Sequence, residues 1–254
     1  MKRILGIAIV LGFVGALTVV AQEVKPGKVE VIDLGKDVKL EMVLVPAGKF
    51  MMGAPASEKF RFDDETQHEV TLTKPYYMGK YEVTQEQWES LMGNNPSETK
   101  GAKLPVTNVS WGLCQAFITK LNAKTSGGFR LPTESEWEYS CRAGTSTAYS
   151  FGDSLTKSDA NIDSGGSKAV GSYKPNAFGL YELHGNVWEW CEDWHGEYPF
   201  AVADPKGPAK GNLRVLRGGC FFDNALKAGS SFRHCLPPSK NDYRNGFRLA
   251  KTAL

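Results

Sequence analysis

The side chains with the most chemical reach in this chain are five cysteines, four histidines and a run of carboxylates set among tryptophans. Two thiolates brought together could grip a soft ion such as copper(I) or close a disulfide. Cys220 and Cys235, fifteen residues apart in the tail, are the candidates for a thiolate site, although bridges or buried small hydrophobes are the better-supported roles. Cys141, Cys191, Cys220 and Cys235 are the candidates for bridges, and three pairings among them stay open. Cys114 falls at helical spacing with Phe117, Ile118 and Leu121, which predicts a buried free thiol. His68, His184, His195 and His234 show no paired metal-ligand spacing, and Ser135 and Ser231 lack a Gly-x-Ser-x-Gly setting. Glu189, Glu192 and Asp193, among Trp188, Trp190 and Trp194, have the look of a sugar-cleaving carboxylate set. A solvated or arginine-paired acidic turn explains them better.

The chain that must position these residues opens like an exported one. Lys2 and Arg3 precede an apolar run, Ile4 to Val20, that ends in the small residues Val19-Val20-Ala21, so residues 1–21 are predicted to be a signal peptide. Cleavage before Gln22 is favoured over retention as an anchor, which predicts a secreted or periplasmic protein with no stable membrane span. Removing Lys2 and Arg3 leaves 28 basic residues against 28 acidic ones. Such a neutral chain exerts no long-range pull on nucleic acid or anionic membrane. About 230 residues then remain, without an internal repeat, which favours one domain.

Met42 and Leu44, then Phe50 and Met52 beyond Pro46-Ala47-Gly48, alternate as two short strands around a turn. Val70 to Thr73 and Tyr76 to Tyr81 continue that pattern. Thr84 with Gln87 forms a capping box for a helix that Gly93 ends, and Ser110 caps a second helix. Thr133 with Glu136 caps a third, with Gly144 as its predicted stop. Beyond Gly144 no helical period survives, and short apolar pieces alternate with Gly, Asn, Asp and Pro. Strands, then helices, then a long turn-rich segment predict an α+β domain with little regular secondary structure.

Arg130-Leu131-Pro132-Thr133-Glu134, Asn176-Ala177-Phe178-Gly179-Leu180-Tyr181, Gly185-Asn186-Val187-Trp188-Glu189-Trp190, Arg217-Gly218-Gly219 and Gly246-Phe247-Arg248 follow in that order. With these motifs the chain resembles the formylglycine-generating enzyme, or sulfatase-modifying factor, family. The resemblance covers roughly residues 38 to 251 and implies a C-type-lectin-like formylglycine-generating-enzyme fold. It divides the chain into the signal peptide, an N-terminal lead-in over 22–37 and one domain over 38–254. It also implies calcium, held by Gly185, Asn186, Val187 and Glu189 and, less securely, by Asn161 and Ile162 with Asp163. An ion pair between Glu189 and a tail arginine is the alternative for the first set.

The family's oxidase uses two cysteines shortly after the Gly-Gly pair to hold copper(I). Counted from Gly219, those positions are Asp223 and Ala228, whose side chains cannot act as thiolates, so copper is not expected. Departures from the family pattern collect between the fixed turns of the tail. Phe222 and His234 offer flat contact area, while Asp223, Asn224, Arg233 and Asn241 offer directed polar contacts. The chain thus reads as an exported binding or accessory module for a protein or small-molecule ligand at its C-terminal loops. Its alternative is an active oxidase, on a sulfatase cysteine or another envelope substrate, that uses rearranged Cys220 and Cys235.

Overall fold

The structure, a computed structural model, describes residues 27–198 and 202–253. The expected signal peptide over 1–21 lies outside the described residues. Strands β1 (Val29–Gly35), β2 (Val38–Val45), β3 (Gly48–Met52), β4 (His68–Leu72) and β5 (Tyr76–Gly79) come first. Helices α1 (Gln85–Met92) and α2 (Trp111–Lys124), strand β6 (Phe129–Arg130) and helix α3 (Glu134–Arg142) follow. The turn-rich half holds β7 (Trp188–Trp194), β8 (Val202–Ala203), β9 (Arg214–Arg217), β10 (His234–Leu236), β11 (Asn245–Phe247) and β12 (Ala250–Thr252).

These strands form three sheets, ordered β1-β2-β5-β12-β6, β10-β9-β7-β11 and β3-β4-β8. The first joins both ends of the chain, because β12 inserts between β5 and β6. β1 pairs along its length with β2, so the stretch expected to be a lead-in belongs to the sheet and the domain starts before residue 38. The run from Trp188 is a strand that pairs in parallel with β11 and antiparallel with β9, bringing the Gly-Phe-Arg and Arg-Gly-Gly motifs to either side of it.

Helices start where their caps predict. Thr84 and Thr133 each complete a capping box, and the Ser110 hydroxyl accepts the Leu113 N–H. α3 ends one residue before the predicted stop, as Ala143 takes a left-handed backbone and donates its N–H to the Tyr139 carbonyl. Among the described residues all five cysteines are free thiols, so the expected bridges among Cys141, Cys191, Cys220 and Cys235 do not form. Cys114 is a buried free thiol in α2, as its spacing predicts.

α3 sets the packing problem for the rest of the chain. All nine of its residues are buried, including Glu134, Glu136, Glu138 and Arg142. Buried charges need partners, because desolvation without pairing costs several kcal/mol each. Arg217, fully buried, donates to Glu138 at 2.5 Å and to the carbonyls of Ser230 and Ser231 at 2.7 and 2.9 Å. Arg233 grips both oxygens of Glu134 at 2.8 and 2.9 Å, and Arg130 grips Glu136 at 2.5 and 2.6 Å.

Replacing Arg217 by Met leaves two buried carboxylates without their shared cation. Urea unfolding of Arg217→Met is expected to lose about 3–5 kcal/mol, whereas Lys49→Met, at an exposed pair with Glu69, changes stability by less than about 1 kcal/mol. Equal effects would mean that the buried pairs do not hold the fold.

Candidate functional site

The tail leaves β9 through Gly218 and Gly219, both with left-handed backbone. A Cβ on Gly219 would lie 2.9 Å from the Lys227 carbonyl, so glycine there lets the loop fold back over a short 3-10 turn, Ala225–Ala228. Asp223 and Ala228, at the two positions where the family resemblance implies cysteines, are both buried. The Asp223 carboxylate accepts the Cys220 thiol at 3.0 Å and the Lys227 ammonium at 3.0 Å, which hold its pKa low. The Ala228 carbonyl accepts a hydrogen bond from the His184 ring at 2.6 Å. These residues do not fit copper(I), which needs thiolates.

Cys220 and Cys235 are both free thiols. Burial, then the neighbouring Asp223 carboxylate, pushes the Cys220 thiol up to about 12. Cys235 sits on β10 opposite Val215, and neither a disulfide nor a hydrogen bond joins the two sulfurs among the described residues. A second thiol lies beside an imidazole. Cys141 Sγ is 3.6 Å from His184 Nε2 and 3.7 Å from Ser230 Oγ, with all three side chains buried. This is not a nucleophile and base. The Ser150 N–H donates to His184 Nε2 at 3.1 Å, which leaves the proton on Nδ1, where it reaches Ala228. Burial pushes the Cys141 thiol up to about 12 and His184 down to about 4.

Several of the expected calcium ligands already have protein partners. Glu189 binds Arg248 through both oxygens, at 2.7–3.1 Å, and accepts Trp137 Nε1 at 2.6 Å, which realises the ion-pair alternative. Asn186 donates to Glu82 and accepts from Asn161 and the Lys168 N–H, tying the two proposed sets to each other. Gly185, with left-handed backbone, packs so that a Cβ would lie 2.5 Å from the Asn161 carbonyl, and Val187 is buried behind it. Ile162 is buried, Asp163 is exposed, and the Asp163 carbonyl accepts Lys157 Nζ at 2.6 Å. Glu82 keeps one oxygen without a partner, and burial raises its pKa well above the carboxylate range, toward the neutral acid. Glu189 is thus spent on Arg248 and the two amides on each other, while the Asp163 carboxylate stays exposed.

The ligand-contact candidates of the tail divide by exposure. Phe222, 65% exposed, Asn224 and Asn241 face water. Asp223 and Arg233 are buried in ion pairs, and His234 packs half-buried on the Trp188 ring with centroids 4.9 Å apart, so these three serve the framework. Beside the tail lies a cleft of about 530 Å³, walled by Phe60, Glu65 and Tyr149 on one side and Leu226, Ser231 and Phe232 on the other. The first wall includes the loop between β3 and β4, which sequence reasoning passed over. Its available signal was Phe60-Arg61-Phe62, two aromatics among charges in a stretch with neither strand nor helix period.

Comparisons agree with this architecture. The description "Sulfatase-modifying factor enzyme 1-like domain" belongs to the family profile that matches residues 33–253. A formylglycine-generating enzyme of Thermomonospora curvata is 35% identical over 195 residues, covering 66% of this chain and 62% of the enzyme. A serine/threonine-protein kinase, pkn1, of Chlamydia caviae is 33% identical over 243 residues, covering 83% of this chain. The chain spans 38% of that kinase's length. Among solved structures, Treponema denticola variable protein 1 superposes with a TM-score of 0.80 at 30% identity, covering 89% of this chain and 99% of that one. PvdO from Pseudomonas aeruginosa gives a TM-score of 0.80 at 30% identity, covering 90% and 99%.

Two measurements check the site chemistry. Because Glu189 is already ion-paired, a chelator is expected to leave the melting temperature unchanged; a fall of several degrees would restore calcium to the fold. For His184 the folded pKa lies below the unfolded value of about 6.5, so the unfolded chain takes up the proton first. Its stabilising contribution is complete above about pH 6.5 and is lost as the pH falls toward about 4. The melting-temperature advantage of the wild type over His184→Gln should therefore narrow across that window, and a constant gap would refute a buried neutral imidazole.

Proposed function

The chain belongs to the sulfatase-modifying factor enzyme 1-like family, and from that premise we propose that it is an exported ligand-binding module whose oxidase centre has been replaced by a structural one. The observation that carries this reading is the chemistry at Asp223 and Ala228. One is a carboxylate neutralised by Lys227 and bonded to the Cys220 thiol, and the other offers only a backbone carbonyl, occupied by His184. Soft-metal oxidation of a substrate thiol has no thiolate pair to start from there.

Two further observations support binding. The cleft beside the replaced centre is large enough for a ligand of drug-like size and mixes apolar walls with a few polar groups, the usual make-up of such sites. Domains of this kind also occur as one part of larger proteins, since most of this chain aligns within 38% of the kinase-named relative. Placement in the cell envelope rests on Lys2, Arg3 and the apolar run that follows them. Among the described residues no helix is long and apolar enough to cross a membrane.

The test is to incubate the protein with copper(I), oxygen, a thiol reductant and a sulfatase-type cysteine peptide, next to an active formylglycine-generating enzyme. The peptide mass is expected to stay unchanged with this protein. Conversion of its cysteine to the aldehyde, abolished by Cys220→Ser or Cys235→Ser, would overturn the reading in favour of a rearranged oxidase.

A further inference from the structure

The cleft beside the tail has an unusual floor. Glu65 is 3% exposed and lines the cavity, with Oε2 accepting the Ser231 hydroxyl at 3.0 Å and Oε1 accepting no hydrogen bond among the described residues. Glu58, half-buried, and Asp153 line the same cleft. Lys59 and Arg61, which also line the cleft, make no ion pair or hydrogen bond with Glu65 or Glu58 among the described residues, and the cations whose charge reaches these acids are spoken for. Arg217, whose charge reaches Glu65, is bound to Glu138 and Glu134, and Arg142, whose charge reaches Glu58, is bound to Glu138 at 2.9 Å. Burial accordingly raises the pKa of Glu65 and of Glu58. A buried carboxylate facing an open cavity without a counter-ion is a place where a ligand's cation gains most, since charge-assisted hydrogen bonds strengthen away from bulk water.

The mouth of the cleft is apolar. Phe60 is 77% exposed and Leu226 is 38% exposed, with Tyr149 and Phe232 behind them. Phe60 holds a left-handed backbone, φ 66°, that bulky residues rarely adopt, and such strain concentrates where a side chain must be presented. Lys59 and Arg61 also line the cleft, Lys59 exposed and Arg61 partly so, and screening weakens their repulsion of a cation bound at the floor.

Resting on the binding-module reading, we infer that this cleft takes a protonated primary amine borne on an apolar chain, with the ammonium on Glu65 and the apolar part against Phe60 and Leu226. The ammonium donates to Glu65 Oε1, the oxygen left free by Ser231. The apolar part covers the exposed ring and methyl groups at the mouth.

Titration of the intact protein with 4-phenylbutylamine, 4-phenylbutanol and 4-phenylbutyrate, followed by calorimetry, tests this. The amine should bind about tenfold or more tighter than the alcohol, with the carboxylate weakest, and should tighten as the pH rises and Glu65 ionises. Glu65→Gln should remove the preference for the amine. Phe60→Gly, which relieves the left-handed strain, should weaken amine and alcohol alike without lowering the melting temperature, and Leu226→Arg should exclude the amine. If the alcohol or the carboxylate binds as well as the amine, the cleft remains a ligand site and the cationic class is wrong. If no member binds at about 10 mM, both the class and the cleft as the module's site are overturned.

Discussion

The polar helix at the centre of this protein can be buried only because arginines from distant parts of the chain come to meet it. α3 presents Glu134, Glu136 and Glu138 to the interior, and the answering guanidinium groups come from Arg130, Arg217 and Arg233. Each carboxylate and its partner would cost several kcal/mol if left alone, so the pairs form together or not at all. A parallel tether runs beside them, where Arg248 clasps Glu189 and also donates to the carbonyls of Gly79 and Tyr181. These are the arginines of the Arg-Gly-Gly and Gly-Phe-Arg motifs. Their work is to fix irregular chain, since Arg217 alone holds the carbonyls of Ser230 and Ser231 in the tail.

That mode of construction explains how the tail can change its chemistry and keep its shape. The loop from Gly219 to Ser231 is anchored at its start by β9 and at its end by Arg217, so the residues between need only satisfy themselves. Asp223 does so through Cys220 and Lys227, and Ala228 does so by offering its carbonyl to His184. His184 in turn holds the Ser150 N–H, which ties the tail to the segment after α3. Asp223 and Ala228 thus belong to one hydrogen-bonded and ion-paired network. Burial raises the Cys141 and Cys220 thiols, which disfavours the thiolate form at both.

Local signals in the sequence were reliable and long-range ones were not. Caps at Thr84, Ser110 and Thr133 and the strands flanking Pro46 could be read because each depends on neighbours within a few residues. Asp223 and Arg233 read as polar loop residues free to meet a ligand, yet both are buried. Arg233 binds Glu134 from 99 residues away, a pairing that no spacing rule encodes. The same limit hid the cleft, whose walls come from three segments distant in sequence, 55–65, 146–153 and 226–232. Four cysteines behind a leader-like N-terminal run suggest bridges, yet all of them are free thiols among the described residues, because pairing depends on which distant segments the fold brings together.

Framework and cleft therefore answer to different constraints. The charge pairs that hold the fold lie behind the cleft, on α3, β7 and β9, where loss of one partner strands another in the interior. The mouth of the cleft carries exposed side chains such as Phe60 and Leu226, while Tyr149 and Phe232 pack into the cores behind it. At the floor, Glu65 is tied to the framework through Ser231, whose carbonyl Arg217 holds. A substitution at the mouth can alter what the cleft accepts at little cost in stability, while one at the floor is felt by the framework. A rigid polar interior that tolerates a changing rim suits a scaffold whose relatives share its fold without sharing one chemistry.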